Sequence, residues 1–206
     1  MMNCDINPHI LTYLEQVEKG VACKEQKALA AHIRKCFAQD NIYVDAEQLE
    51  KYLGLVRYFP YERLFPWEEF LIALWDCTYW KETGRPRWKT VFSMVGRGAG
   101  KDGFIAFDGM CSIGPYNPVN KYNVDICANN EDQATRPLLD LVEILETPKH
   151  EKKLNKFFYH TKEKAQGRKN KGVMVGHTNN PKGRDGLRSG KVIFNEVHQY
   201  ENYDNI

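Results

Sequence analysis

Residues 91–104, VFSMVGRGAGKDGF, carry the strongest chemical signal in the chain. The apolar run at residues 88–95 predicts a strand, and FIAFDGMCSI beyond the glycines predicts a helix. A strand feeding a glycine-rich turn that opens a helix makes an anion site. Backbone N–H groups converge there, and the helix N-terminus adds partial positive charge. Gly96, Gly98 and Gly100, with Arg97 and Ala99 between them, let the backbone wrap closely around phosphate oxygens. Lys101 then reaches the terminal phosphates of a nucleotide, which is the logic of the GxxxxGK[ST] loop. Two positions depart from that pattern: Val95 stands at the first glycine, and Asp102 replaces the hydroxyl residue that normally meets Mg²⁺. The competing reading is a glycine turn with an exposed lysine.

A second signal lies at KVIFNEVHQY, residues 191–200, an apolar strand ending in Asn195-Glu196. Nucleotide hydrolases with such loops place two acids at this strand end, one for the metal shell and one to activate water. Here the first is Asn195, so one charge is missing, while Asp102 supplies a carboxylate on the loop. Mg²⁺ needs only one or two carboxylates besides phosphate. Asp102 and Asn195 are therefore read as the metal side of an ATP-Mg²⁺ site, Glu196 as the water-orienting base and Lys101 as the γ-phosphate ligand. The competing reading is a degenerate site that binds nucleotide weakly without turnover.

These residues need a scaffold. Residues 8–56 read as helical and polar, with Ile10, Tyr13, Leu14 and Val17 on one face and Leu29, Ile33 and Phe37 on another. Gly20 and Asp40-Asn41 mark breaks, and Asp45 with Gln48 predicts a third helix start. FPYERLFPWEEFLIALWDCTYW follows as a dense aromatic cluster running into an apolar helix. Further strands are expected at residues 123–128, 172–176 and 191–194, with a helix at 132–145. Strands separated by helices predict an α/β domain, a mostly parallel sheet with helices on both faces. The expected organisation is an N-terminal helical segment, residues 1–60, and an α/β core, residues 61–206. The chain stops about ten residues past its last apparent strand, where a doubly wound sheet would continue, so a fragment of a longer protein is expected.

Composition narrows the classes. The 206 residues are 42% hydrophobic and 27% charged, enough for a core and against wholesale disorder. Net charge is only +2, but residues 149–171 hold nine Lys/Arg and two Glu, net +7, leaving −5 elsewhere. That tract is expected as an exposed loop or helix edge. Lys152, Lys153 and Lys156 within it are candidates for non-specific contact with DNA phosphates. A solvated charged face is the alternative. No apolar run is long enough to span a membrane and no leader pattern opens the chain, so an intracellular protein is expected. Six cysteines without a CxxC and six histidines without i, i+3 or i, i+4 pairing read as buried reduced thiols and no protein-built zinc site. His177 and His198 are read as structural.

At this point the chain resembles the large terminase subunits of tailed phages, and the likeness runs along nearly its whole length. Pro66-Trp67-Glu68-Glu69-Phe70 is similar to the family's adenine-side PWQ segment, with Glu68 where glutamine is usual. Arg97-Gly98-Ala99-Gly100-Lys101 resembles its arginine-bearing phosphate loop. Ala128-Asn129-Asn130-Glu131-Asp132-Gln133-Ala134 sits where the family has a strand and an xxQA helix start. Asp185-Gly186-Leu187, leading into VIFNEVH, is similar to the DGL approach to its acidic strand. Glu196 and His198 fit that strand, and Asn195 departs from it.

The resemblance implies a P-loop NTPase fold (RecA/ASCE-like), hydrolysis of ATP with Mg²⁺ and packaging of double-stranded DNA into a prohead. It implies a nuclease half that this sequence does not reach. It also implies a ring of copies on the portal protein, a small terminase subunit as partner, no membrane, and the cytoplasm of an infected or lysogenic bacterium. Trp67 would stack on adenine and Glu68 accept from its amino group, though an ionised carboxylate cannot donate as glutamine does. Arg97 would stabilise charge on the transferred phosphoryl group, with Arg85 and Arg87 as lesser candidates. Two rivals stay open: a helicase-like nucleic-acid-dependent ATPase, and a non-hydrolysing nucleotide-binding module.

Overall fold

The computed structural model of the chain describes residues 6–178 and 188–200, and divides into two compact units, Met1–Met94 and Val95–Ile206. The first unit is largely helical. Helix α1 (Pro8–Lys19) starts at Asn7, whose side chain accepts from the His9 N–H, and ends at Gly20. Its buried face is Ile10, Leu14 and Val17, as the spacing predicts, while Tyr13 packs on Phe70 with ring centroids 4.4 Å apart. Helix α2 (Lys24–Gln39) buries Ala30, Ile33 and Cys36. The expected face is thus turned by about one residue, leaving Leu29 39% exposed, and Phe37 lies beside the Trp88 ring.

Asp45 accepts from the Gln48 N–H at 2.9 Å and opens α3 (Ala46–Leu53), as read from the sequence. Between α2 and α3 lies β1 (Ile42–Val44), inside the stretch read as helical. It pairs antiparallel with β2 (Thr78–Trp80), which follows α4 (Pro66–Leu71). His9 ties three helices together, with Nδ1 2.7 Å from Glu69 and Nε2 3.1 Å from Glu50. Burial pulls the imidazole pKa down, but the two carboxylates outweigh it and hold it above its ordinary value.

The second unit is a mixed α/β sheet in the order β4-β5-β6-β3-β7. Its strands are β3 (Asn123–Ala128), β4 (Phe158–His160), β5 (Ala165–Gly167), β6 (Val173–Thr178) and β7 (Ser189–Phe194). β3 pairs parallel with both β6 and β7, while the β4–β5 and β5–β6 pairings are antiparallel. Four of the five strands therefore run the same way, so the sheet is mostly parallel. Helices α5 (Lys101–Ile113), α6 (Glu131–Glu146) and the short α7 (Glu151–Leu154) complete the unit.

Two expectations need correction and one an addition. Residues 88–95 form no strand, and Phe92 and Met94 are 80% and 87% exposed. Their apolar run has no ladder partner among the described residues, and an unpaired backbone does not make a strand. The helices on the sheet share one face. Asp108 of α5 reaches Lys191, and the backbone of Ala134 in α6 crosses so close to Gly176 that a Cβ there would meet its carbonyl oxygen at 2.5 Å. Lys191 and Gly176 lie opposite Val124 and Ile126 of β3, two residues apart and so on the same side. The tract 149–171, expected as an exposed loop or helix edge, carries the short helix α7 and also the β4–β5 hairpin, which was not expected.

On the other side of β3, Asp125 accepts from Ser189 Oγ at 2.5 Å and lies 2.7 Å from His177 Nε2, a network that stitches β7, β3 and β6. Among the described cysteines Cys23 is exposed, and Cys36, Cys77, Cys111 and Cys127 are buried. Among the described residues no helix is long and apolar enough to cross a membrane.

Candidate functional site

Among the described residues no strand leads into the glycine-rich turn, but the turn does open a helix. Gly98 has φ +80° and Gly100 φ +83°, left-handed conformations that glycine adopts without steric cost. The Ala99 N–H donates to the Gly96 carbonyl at 3.1 Å, and Gly100 is the residue from which α5 starts. Residues 96–98 and 100 are exposed, Arg97 among them. Lys101 is therefore the first residue of α5, at the positive end of a 13-residue helix dipole.

The sheet brings the acidic strand end to this helix start. Lys101 Nζ donates to Glu196 Oε1, joining residues 95 apart in sequence, and both side chains are about 30% exposed. Glu196 stands two residues past the end of β7, at φ +53°, an unfavourable conformation for a residue with a side chain. Its Oε2 lies 3.4 Å from His198 Nδ1. Strain of this kind persists where surrounding contacts over-determine it, and such contacts are present. The Asn195 N–H donates to the Cys127 carbonyl at 2.8 Å, and the Gln199 N–H donates to the Glu196 carbonyl at 2.9 Å.

Asn195 itself is 3% exposed. Its Nδ2 faces two acceptors, the Gln133 carbonyl at 3.0 Å and Asp102 Oδ1 at 3.4 Å. That orientation leaves Asn195 Oδ1 buried with no hydrogen-bond partner among the described residues. Asp102, on the loop helix, thus meets Asn195 at the strand end. Asp102 Oδ1 therefore faces the amide nitrogen of Asn195, while the amide oxygen is turned into the protein. Negative charge accumulates here. Burial pushes the Asp140 carboxyl up, Arg136 pulls it down, and Asp102 pushes it up again. Among the described residues no cluster of three His, Cys, Asp or Glu is arranged to hold a metal unaided. Any metal here would need the phosphates as ligands too.

Trp67 and Glu68 lie on α4 of the first unit, and the loop and acidic strand belong to the second. Glu68 is 5% exposed, and its Oε2 accepts from the Phe65 N–H at 2.7 Å, capping the helix. Burial pushes its carboxyl up, the Phe65 bond pulls it down and Glu69 pushes it up, with a raised value as the net result. Lys152 and Lys153 on α7 and Lys156 just beyond it are exposed. The Asp185-Gly186-Leu187 motif lies outside the described residues.

Sequence reasoning missed two features of the site. Lys191 Nζ and Asp108 Oδ1 form a 2.7 Å ion pair with both side chains 2% exposed, joining β7 to α5. The signal was there: one lysine at the head of the apolar run KVIF, and one aspartate inside an apolar helix. The other is the network from Gln133 to the turn after Glu196, which no local pattern announces.

No protein-family model matches the chain, and no curated protein does. Among solved structures it is similar to the large terminase of bacteriophage HK97, with a TM-score of 0.57 and 18% identity over 74% of this chain. The chain spans 31% of that protein's length. The likeness agrees with the resemblance carried by the motifs, and shows that the chain has a large-terminase fold.

Proposed function

We propose that the chain is an ATP-hydrolysing P-loop motor module (RecA/ASCE-like) that drives double-stranded DNA into a phage prohead. The observation that supports it most is the meeting of Lys101 and Glu196. It sets a phosphate-loop lysine against a strand-end carboxylate in a terminase-like fold. In this reading the N–H groups of residues 96–98, 100 and 101 bind the β- and γ-phosphates, that of Ala99 being used within the turn. Lys101 Nζ leaves Glu196 for a γ-phosphate oxygen, and the freed carboxylate orients a water and takes its proton as the water attacks the γ-phosphorus, whose bond to the bridging oxygen breaks so that ADP leaves with that electron pair. Arg97 supplies positive charge to the equatorial oxygens of the transferring group. Mg²⁺, when bound with the nucleotide, would neutralise phosphate charge, and Asp102 and, once its amide turns over, Asn195 are the residues that would hold it. Adenine contacts by Trp67 and Glu68 rest on the resemblance alone. Glu68 Oε1 is the oxygen not used in capping α4.

The same reading supplies partners: DNA, the portal, a small terminase subunit and further copies of the chain in a ring, in the cytoplasm of an infected or lysogenic host. For DNA, the exposed Lys152, Lys153 and Lys156 are the proposed phosphate contacts. Replacing all three with Gln is expected to lower the slope of log K against log salt for duplex binding by about 2–3. An unchanged slope removes these lysines from the interface.

The test of the site is calorimetric titration with a non-hydrolysable ATP analogue, with Mg²⁺ and with the metal chelated. Saturable binding that weakens without Mg²⁺ is the expected result. No binding at millimolar analogue overturns the reading.

A further inference from the structure

Glu196 lies in an unfavourable backbone conformation, and one residue of a different element holds the chain on both sides of it. Before it, the Gln133 carbonyl accepts from Asn195 Nδ2 at 3.0 Å. After it, Gln133 Nε2 donates to Gln199 Oε1 at 2.7 Å. Gln133 is itself fixed, since its N–H donates at 2.9 Å to Asn130 Oδ1, the side chain capping α6. Asn129 adds a parallel tie, with Nδ2 donating to the Gln199 carbonyl at 3.0 Å. Gln199 in turn closes the turn by donating its N–H to the Glu196 carbonyl. The first turn of α6 therefore clamps residues 195–199.

We propose that Gln133 is a positioning residue that fixes the turn at Glu196 and so aims its carboxylate at Lys101. This rests on the reading of Glu196 as the working carboxylate. The physical logic is pre-organisation. A strained turn at a strand end relaxes unless its far side is tied down, and the Gln133–Gln199 bond is that tie. Relaxation would withdraw the Glu196 carboxylate from Lys101 without disturbing the buried core.

The test reads the Lys101–Glu196 contact directly and needs no nucleotide. The full chain is treated with a limiting amine-acetylating reagent, and the rate at each lysine is followed by mass spectrometry. The proteins compared are wild type, Gln133→Met, Gln199→Met, the double variant and Glu196→Gln. Glu196→Gln releases Lys101 and is expected to raise its labelling about threefold, the scale of a partly exposed ion pair. Gln133→Met and Gln199→Met are each expected to match it, and the double variant to add nothing further. Buried Lys191 should stay unlabelled throughout, which separates a shifted turn from a loosened fold.

If the Gln variants leave Lys101 at the wild-type rate while Glu196→Gln raises it, the proposal is overturned. It also falls if Lys101 and Lys191 become reactive together, or if Glu196→Gln itself changes nothing. The analogue titration separates the two readings: labelling as expected with no analogue binding keeps the clamp and removes the nucleotide site.

Discussion

Lys191→Met is expected to destabilise the second unit by about 3–5 kcal/mol, measured by urea unfolding with an unchanged m-value. The substitution keeps the length of the side chain and removes its charge. What remains is the Asp108 carboxylate, 2% exposed and stripped of its cation. A buried carboxylate without a partner must be desolvated unpaired or bind a proton, and either costs far more than the packing that Met restores. The matching double variant, Lys191→Met with Asp108→Ala, removes both charges. It should recover most of the loss, because replacing a whole buried pair with apolar groups is often close to neutral. A double variant as unstable as the sum of the singles would show that the pair contributes through hydrogen bonds to further groups rather than through mutual neutralisation. The pair matters to the site through its place. It pins α5 against β7, the two elements whose ends carry Lys101 and Glu196.

The parts legible in the sequence are those with local causes. Asp45 with Gln48 marks a helix start because a cap acts over three residues. The GRGAGK turn is legible because only glycine fits φ near +80°. Strands β3, β6 and β7 show as short apolar runs because each is bonded or packed within a sheet. The parts that failed have causes distant in sequence. Residues 88–95 have strand composition, but a strand also needs a neighbour, and neighbours are not encoded in a window of eight residues.

β1 and β2 are three residues each and pair across an interval of more than 30, too short for a periodic signal. The β4–β5 hairpin is hidden by its charge, because in AQG and FYH only alternate residues turn inward, while Lys162 and Lys164 dominate the composition. The one-sided placement of α5 and α6 follows from Asp108 meeting Lys191 and from Gly176 admitting the backbone of α6. Neither is visible until β3 sets the register. At the site, the loop and the acidic strand were legible as separate motifs, and their pairing was an inference from chemical type. Gln133 was legible only as part of a helix-start motif; its tie to Gln199 was not, since that partner is 66 residues away and glutamine advertises no chemistry.

Lys101→Ala is expected to weaken binding of the ATP analogue by about 10–100-fold, the scale of one charge-assisted hydrogen bond to phosphate. Two effects act in the same direction. The ammonium that replaces water at the γ-phosphate is gone, and Glu196 then faces that phosphate with no cation between them. Glu196→Gln should act the other way. It removes the group that holds Lys101 in the nucleotide-free chain and also the repulsion, so affinity should rise severalfold. The opposite signs make the pair of variants more informative than either alone. Loss of the Lys101–Glu196 contact costs the fold at most about 1 kcal/mol, because both side chains are about 30% exposed and solvent screens the pair. Both variants should therefore melt close to the wild type, and a change in affinity can be read as a change at the site. Wild-type affinity in Lys101→Ala would mean that the phosphates sit elsewhere. The ion pair would then be a surface bridge between a helix start and a strand end. Opposite shifts in the two variants would instead identify Lys101 as the cation that the nucleotide and Glu196 compete for.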